Sequence, residues 1–137
     1  MGRILAIDYG QKRVGLAVTD PLRIIANGLE TVPVNEIFIF IENYLKKEQV
    51  DKFVIGYARQ LNGEDSDSMK YIRPFAVALQ RKFPDIEQIF VDERYTSSLA
   101  HKAMLDGGLK KKGRQDKALV DKISATIILQ SYLEQGK

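Results

Sequence analysis

The segment Arg3–Ile7, which is continuously apolar after its arginine, constrains the fold more than any other part of the chain. A strand with one face in water alternates apolar and polar residues, whereas a continuous apolar run indicates a strand that is buried on both faces. Such a strand lies inside a sheet that has helices on both sides. The run therefore predicts a layered α/β domain.

Turn residues and apolar periodicity divide the rest of the chain into four more strands and four helices. The predicted strands cover residues 14–19, 24–32, 53–56 and 86–91, and the predicted helices cover about 35–49, 69–83, 97–105 and 117–134. The first three strands form a meander, and a helix before each of the last two strands indicates right-handed crossovers. This order predicts a five-stranded mixed sheet with helices on both faces. It is the ribonuclease H-like architecture, which also underlies the actin-like ATPases.

Several polar residues are interpreted as helix caps. Asn35 precedes the first helix, Thr96 or Ser97 precedes the third, and Asp116 precedes the last. Pro74 lies inside the helical pattern of the second helix, where it either kinks the helix or starts it. The sequence leaves both alternatives open.

The residue types present exclude several kinds of protein. A length of 137 residues suits one domain that spans 1–137. The chain has no cysteine and one histidine, His101, which excludes disulfide scaffolds, thiolate zinc sites and histidine-rich metal sites. A metal would therefore be held mainly by oxygen, which favours Mg²⁺ or Mn²⁺.

Charge and hydropathy bear on partners and on the cellular compartment. The net charge of +3 and a pI near 9.1 are compatible with a nucleic-acid partner, although many unrelated enzymes share them. The first apolar run is too short for a signal peptide, and no apolar segment has the length needed to span a bilayer. We therefore expect a cytoplasmic protein with no membrane partner.

Acidic residues at three places are candidates for chemistry. Asp8 follows the buried run and so lies at the carboxyl end of a strand, where open α/β sheets place their sites. Asp92 and Glu93 follow the last strand in the same way. Asp121 shares a side of the last helix with Ala125, and an acid on a packed face needs a cation or hydrogen bonds to offset desolvation. Each place alone also fits a structural role, as a turn, a solvated triplet or an acid that suits the helix dipole.

Together these carboxylates fit one kind of site. Two strand ends and one helix could gather them at the same edge of the sheet, where they could hold one or two Mg²⁺ ions. Paired ions about 4 Å apart can activate a water and stabilise the leaving oxygen in phosphodiester cleavage. That chemistry needs neither histidine nor cysteine, so it suits this composition.

Basic residues near the acids are candidates for contact with phosphates. Lys12 and Arg13 lie in the turn after Asp8, where Gly10 permits a phosphate to approach the backbone. Further basic candidates are Arg94 and, in a glycine-bounded segment before the last helix, Lys110, Lys111, Lys112 and Arg114. That segment either contacts phosphates or is a flexible solvated loop, and its composition fits both alternatives.

Five motifs resemble those of the YqgF/RuvX family, in the same order and over nearly the whole chain. The two most specific are DYGQKRVGLAVTD at 8–20 and DERYTS at 92–97. The others are VIG at 54–56, NG at 62–63 and DKISATIILQ at 121–130. Members of that family are ribonuclease H-like proteins, described as Holliday junction resolvases and as nucleases that mature the 5′ end of 16S ribosomal RNA.

The resemblance implies a site and a function. It implies that Asp8, Glu93 and Asp121 are metal ligands and catalytic residues, with Glu93 favoured over Asp92. It also implies a nuclease that depends on Mg²⁺ or Mn²⁺ and acts on structured RNA or branched DNA. An RNA substrate would associate the protein with ribosome assembly, and resolution of a DNA junction would call for a homodimer.

The chain departs from the family pattern in one loop. After Gly56 the family usually shows Leu-Pro, whereas this chain has Tyr57 and Ala58. The shape of this loop is therefore not implied by the resemblance. Asn62 stands where an aspartate is common, so it is not counted as a ligand.

Two other classes of protein compete with a nuclease. A non-catalytic nucleic-acid binding module would share the fold, but the presence of all three acids argues against a dead site. An actin-like nucleotide phosphohydrolase would share the Asp-x-Gly turn, but those ATPases use two such domains to enclose the nucleotide. The sequence does not choose between RNA and a four-way DNA junction, because phosphate contacts carry little sequence information.

Overall fold

The computed structural model describes residues 2–57, 69–92 and 117–135, with the side chains of the last helix described from 121 to 134. The strands are β1 (Arg3–Tyr9), β2 (Arg13–Thr19), β3 (Ala26–Pro33), β4 (Val50–Tyr57) and β5 (Glu87–Asp92). The helices are α1 (Ile37–Lys47), α2 (Met69–Lys82) and α3 (Lys117–Gln135), with a 3-10 helix at Val34–Glu36 before α1. Within these ranges no helix is long and apolar enough to cross a membrane. The helix predicted at 97–105 and the caps predicted for it and for α3 lie outside the described residues.

The strands form one sheet in the order β3-β2-β1-β4-β5. β1 is central, as its apolar run predicts, and it pairs antiparallel with β2 and parallel with β4. β2 also pairs antiparallel with β3, and β4 pairs parallel with β5. The predicted mixed sheet is thus confirmed. Because β1, β4 and β5 are parallel, their carboxyl ends meet at one edge of the sheet.

Two apolar cores cover the two faces of the sheet. Leu5 and Ile7 of β1 belong to the core formed with α1 and α2, whereas Ile4 and Ala6 belong to the core formed with α3. Successive residues of a strand point to opposite faces, so this alternation assigns each position of β1 to one helix layer. Complete burial of each of these leucine or isoleucine side chains contributes about 1.5–3 kcal/mol to folding.

The loop between β2 and β3 is longer than predicted, because one side chain binds its backbone. Asp20 Oδ1 accepts hydrogen bonds of 2.8 Å from the backbone N–H groups of Ile24 and Ile25. Asp20 Oδ2 accepts a third bond, of 3.2 Å, from the N–H of Leu22. Hydrogen bonds between an aspartate side chain and nearby backbone N–H groups compete with the hydrogen bonds of strand pairing. β3 consequently begins at Ala26 rather than at Ile24.

The structure differs from the sequence prediction at Asn35, and it decides between the two alternatives for Pro74. Asn35 lies in the 3-10 helix, and the N-cap of α1 is Glu36, which makes no side-chain cap bond. The prediction of Asn35 as the cap is therefore wrong, because the chain enters α1 through a 3-10 turn. Pro74 lies inside α2, which resolves the alternatives left open by the sequence: it does not start the helix.

Replacing Asp20 by alanine should lower the melting temperature, because three backbone N–H groups lose their shared acceptor. The backbone hydrogen bond from Ile25 above all, with those from Ile24 and Leu22, holds the pKa of Asp20 below its usual 3.8. A carboxyl group with a lowered pKa in the folded state stabilises the fold above its unfolded pKa, and this contribution is lost as pH falls through the folded pKa.

The difference between wild type and Asp20→Ala should therefore shrink as the pH falls below 3.8. Thermal melts followed by circular dichroism over a pH series measure it. Asp85→Ala removes another exposed aspartate and should melt close to wild type. An Asp20→Ala protein that melted with wild type at neutral pH would contradict the structural role given to this carboxylate.

Candidate active site

Asp8 lies at the carboxyl end of the central strand, on the face that α3 covers. The alternation that places Ile4 and Ala6 in the α3 core places Asp8 on the same side. In the antiparallel pair of β1 with β2, Asp8 lies opposite Gly15. The neighbour of Asp8 across the ladder is therefore a residue with no side chain.

Gly15 allows α3 to lie directly against the sheet beside Asp8. A Cβ atom at Gly15 would run into the carbonyl oxygen of Asp121, and it would lie 2.6 Å from the carbonyl carbon of that residue. Only glycine permits this contact, because the obstructing atoms belong to the backbone of a helix. The packing brings Asp121 next to the position that Asp8 occupies on β1.

Gly15 was not predicted from the sequence as a residue that builds the site. The available signal was the isolated glycine inside a strand pattern, since such a glycine often marks a close approach of another backbone.

Asp121 binds a cation supplied by the protein. Nε of Arg13 donates a hydrogen bond of 2.7 Å to Oδ2 of Asp121. Arg13 is the first residue of β2 and lies two positions from Gly15, so it projects toward α3 as well. The side chains of Arg13 and Asp121 are 39% and 23% exposed, so the ion pair stands between the core and solvent. It supplies the cation that an acid on the packed helix face requires.

An open pocket of about 280 Å³ brings four of the predicted residues together. Its lining consists of Asp8, Gly10, Gln11, Lys12, Arg13 and Asp121. The turn between β1 and β2 is tight, since the backbone N–H of Gly10 donates a hydrogen bond of 3.0 Å to the carbonyl oxygen of Arg13. Two acidic and two basic residues thus share one concave surface at the carboxyl end of β1.

Tyr9, the residue after Asp8, belongs to the opposite face. Its ring stacks on that of Phe75 in α2, with the ring centroids 4.1 Å apart. Burial raises the pKa of the Tyr9 hydroxyl above its usual value, so this group stays protonated at neutral pH. Tyr9 therefore packs against α2 and has no part in the chemistry of the pocket.

Asp92 ends β5 on the side of the sheet that α2 covers. It pairs with Tyr57, which packs against the core of α1 and α2, whereas the preceding residue, Val91, belongs to the core of α3. Asp92 is two positions from Phe90, whose ring contacts that of Tyr57. Asp92 thus lies on the opposite face of the sheet from Asp8.

The other predicted site residues lie outside the described part of the chain. They are Glu93, Arg94, Lys110, Lys111, Lys112 and Arg114. Of the predicted site residues, the structure brings together Asp8, Lys12, Arg13 and Asp121. Among the residues that the structure describes, no three acidic or histidine side chains are close enough to hold one metal ion.

The pocket nevertheless contains the kind of oxygen ligands that a hard divalent cation prefers. Mg²⁺ is commonly held by one or two carboxylates together with the phosphate oxygens of its substrate. Asp8 and Asp121 supply two carboxylates, and Asp121 already accepts the guanidinium of Arg13 as a cationic partner. The residues present therefore fit an oxygen-ligated ion of the Mg²⁺ or Mn²⁺ type.

The strand order and two-sided helix packing define a ribonuclease H-like protein, and solved structures agree. Thermus thermophilus RuvC bound to a Holliday junction is similar over 100% of this chain and 98% of its own, with a TM-score of 0.61 and 13% identity. A fowlpox virus resolvase bound to Holliday junction DNA is similar over 97% of both chains, with a TM-score of 0.61 and 11% identity. Likeness at such low identity shows a shared fold.

Sequence comparison identifies the family within that fold. The RuvX family model, described as "Holliday junction resolvase", matches residues 2–135. A protein of Phocaeicola vulgatus is 62% identical over 100% of this chain and 99% of its own length. One of Parabacteroides distasonis is 58% identical over 100% of this chain and 98% of its own. Both carry the name "Putative pre-16S rRNA nuclease". The chain belongs to the RuvX family, as its motifs predict.

Replacing Gly15 by alanine should destabilise the packing of α3 on the sheet. The added Cβ would meet the Asp121 backbone, which can move only if the helix moves. Overpacking of this kind typically costs about 1–3 kcal/mol in the free energy of unfolding. Urea denaturation measures that free energy. A change near zero would show that α3 can move away from the sheet without loss of stability.

Gly28→Ala is the matched control for this substitution. A Cβ at Gly28 would lie 3.4 Å from Oγ1 of Thr126 and 3.6 Å from Cβ of Lys122, which are ordinary contacts with the same helix. We expect its free energy of unfolding to stay close to that of wild type. The comparison separates the effect of the close approach at Gly15 from that of adding a methyl group under α3.

Proposed function

We propose that this chain is a nuclease that uses Mg²⁺ or Mn²⁺ to hydrolyse phosphodiester bonds in pre-16S ribosomal RNA. The observation that carries the proposal is the pocket in which the carboxylates of Asp8 and Asp121 lie beside Lys12 and Arg13. Acids of this kind can hold a divalent ion, and the basic residues can bind the phosphates of a substrate. Relatives that are 52–62% identical and are named for pre-16S rRNA support this choice of substrate.

The proposed metal ligands are Asp8, Glu93 and Asp121. Asp8 is held by the central strand of the sheet, and Asp121 is held by the contact of α3 with Gly15. When bound, a divalent ion supplies Lewis acidity for the attack of water and for the departure of the leaving oxygen. The residues of the chain place the scissile phosphate and fix the carboxylates before the substrate arrives.

The alternation along β5 supports Glu93 rather than Asp92 as the third ligand. Val91 packs toward α3, so Asp92 falls on the side of α2. Asp92 therefore lies away from Asp8 and Asp121, and of the two acidic residues Glu93 is the one proposed as a ligand.

Basic residues on three segments are proposed to bind the phosphate backbone. Lys12 and Arg13 line the pocket itself. The others are Arg94, Lys110, Lys111, Lys112 and Arg114. Such contacts increase affinity for any nucleic acid and do not read its sequence, so the shape of a folded RNA would select the cleavage site.

A Holliday junction resolvase is the second candidate, and the description of the family model favours it. Symmetrical resolution of a four-way junction needs two active sites and therefore a homodimer, whereas maturation of one RNA end needs one site. An RNA substrate would place the protein in the cytoplasm with assembling ribosomes. Cleavage of precursor ribosomal RNA and of a synthetic junction, side by side with Mg²⁺ and with Mn²⁺, distinguishes the two functions. Sedimentation analysis of the same samples gives the oligomeric state.

Asp8→Asn should abolish cleavage while the protein stays folded and still binds nucleic acid. Asparagine has nearly the same shape, so packing should survive, but the loss of one negative charge weakens the hold on a hard cation. Changes in outer-shell partners of metal ligands already cost about 10–100-fold, so the loss of a ligand should lower the cleavage rate by about 100-fold or more. Without metal, the melting temperature should hold or rise, since clustered carboxylates repel one another.

Cleavage, binding and thermal melts in one buffer series test this prediction. Asp85→Asn removes the same charge from an exposed aspartate outside the pocket and should cleave like wild type. Equal cleavage by wild type and Asp8→Asn would remove Asp8 from the mechanism. No cleavage by either protein on any of these substrates would instead favour a non-catalytic binding module.

Replacing Lys110, Lys111, Lys112 and Arg114 by alanine together should weaken nucleic-acid binding without changing the chemistry. Each lost phosphate contact lowers the slope of log K against log salt by about 0.7–0.9, so four contacts would reduce it by about 3. Binding titrations at several salt concentrations measure the slope. Lys46→Ala with Lys47→Ala, at the end of α1 away from the pocket, is the control and should leave the slope unchanged. An unchanged slope in the fourfold variant would make the segment a linker.

A further inference from the structure

We propose that Arg13 is a built-in competitor of the metal at Asp121: it binds this carboxylate in the metal-free protein and is released to the substrate phosphate when metal is bound. The inference rests on the proposed function, because it concerns the same pocket. It gives Arg13 two successive partners, a carboxylate of the protein and a phosphate of the substrate. Arg13 would thereby link occupancy of the metal site to capture of the substrate.

The contact between the two residues is a direct charge-assisted hydrogen bond. Nε of Arg13 lies 2.7 Å from Oδ2 of Asp121, within the range of 2.7–2.9 Å that is typical of such bonds. The oxygen that accepts this bond is one of the two carboxylate oxygens that Asp121 can offer to a metal ion. A guanidinium and a divalent cation at this carboxylate compete for the same negative charge and for the lone pairs of Oδ2.

The ion pair is strong enough to form and weak enough to exchange. Arg13 is 39% exposed, and solvent screens a pair of this kind, which typically contributes only a small stabilisation. A divalent ion carries twice the charge of the guanidinium and is compact, so it attracts the two carboxylates of the pocket more strongly. Once such an ion is bound, its charge also repels the guanidinium from its place.

Only the side chain of Arg13 needs to move in this exchange. The backbone carbonyl of Arg13 accepts a hydrogen bond of 3.0 Å from Gly10, and Arg13 pairs with Pro33 in the sheet. The carbonyl of the preceding residue, Lys12, accepts a bond of 2.9 Å from the N–H of Val34. The backbone is thus fixed on both sides, while a long side chain is free to rotate into a pocket open to solvent.

The chemistry of arginine suits the second partner. Its planar guanidinium presents several N–H donors in a fixed fork that matches two oxygens of a phosphate. Released from Asp121, it lies in the same pocket as Lys12 and Asp8. The guanidinium of Arg13 is therefore available to bind a phosphate only when another cation neutralises the carboxylates of the pocket.

The test compares Arg13→Gln with Lys12→Gln, which removes the same charge from the same pocket. Mn²⁺ affinity is measured by calorimetry on the metal-free proteins, without substrate. Arg13→Gln should bind Mn²⁺ about two- to tenfold more tightly than wild type, because the competing cation is gone. Lys12→Gln should show a smaller gain. At saturating Mn²⁺, Arg13→Gln should nonetheless cleave at least about tenfold more slowly than wild type, because the guanidinium that binds the substrate phosphate is missing.

A purely structural role for Arg13 predicts a different pattern. Arg13→Gln would then melt lower and bind Mn²⁺ no better than wild type, which would overturn the inference. The inference also fails if Lys12→Gln gains as much affinity as Arg13→Gln, or if Arg13→Gln cleaves as fast as wild type at saturating metal. Arg13→Lys keeps the charge and should retain the wild-type Mn²⁺ affinity, which would tie the gain in Arg13→Gln to the lost charge. If Arg13→Gln unfolds, Arg13→Met is measured in its place, with the same expected gain in Mn²⁺ affinity.

The two proposals can fail separately. If wild type binds no Mn²⁺, or binds it as tightly as Asp121→Asn does, the metal site of the proposed function is wrong and the inference falls with it. If wild type binds Mn²⁺ through Asp121 but the affinity does not respond to Arg13, only the inference is overturned.

Discussion

The contact between the backbone of Asp121 and Gly15 is the constraint on which the candidate site depends. It sets the distance of α3 from the sheet at the point where β1 and β2 pair, and Asp8 is the residue opposite Gly15 in that pair. Two carboxylates thereby come to line one pocket although they lie on elements that are far apart in sequence. Bringing two acids together at a partly buried position costs free energy, which the ion pair of Asp121 with Arg13 helps to offset.

The two faces of the sheet differ in the size of their buried side chains, and the candidate site lies on only one of them. The face under α1 and α2 carries large buried side chains such as Phe53 and Leu5, which hold these helices away from the strands. The face under α3 carries Ala6, Ala17 and Gly15, so this helix can approach closely. A close helix can present its own carboxylate to a strand end, whereas a helix held off by large side chains cannot. The site therefore lies on the face with the smaller residues.

The sequence predicts the features of this fold that depend on local pattern. The run before Asp8 predicts the central strand, and the order of strands and helices predicts the mixed sheet, because apolar periodicity reports which faces are buried. The start of β3 and the cap of α1 are mispredicted, since Asp20 binds the backbone of its own loop and Asn35 lies in a 3-10 turn. The pairing of Arg13 with Asp121, 108 positions apart, leaves no local signal. It depends on how α3 crosses β2, which only the three-dimensional packing determines.

The two halves of the pocket are held by different kinds of interaction, and this bears on how binding and cleavage are related. Asp8 and Arg13 lie on paired strands joined by a three-residue turn, so the hairpin alone fixes the spacing of these two residues along the strands. Asp121 reaches the pocket through the packing of α3 on the sheet, which at this point includes the contact with Gly15. Loosening of α3 would therefore remove one carboxylate and free Arg13 at the same time, while the basic turn kept its shape. In such a state the protein would keep Lys12 and Arg13, which are proposed to bind phosphates, and would have lost part of its proposed metal site. The architecture of the fold thus separates the proposed binding of nucleic acid from the proposed cleavage.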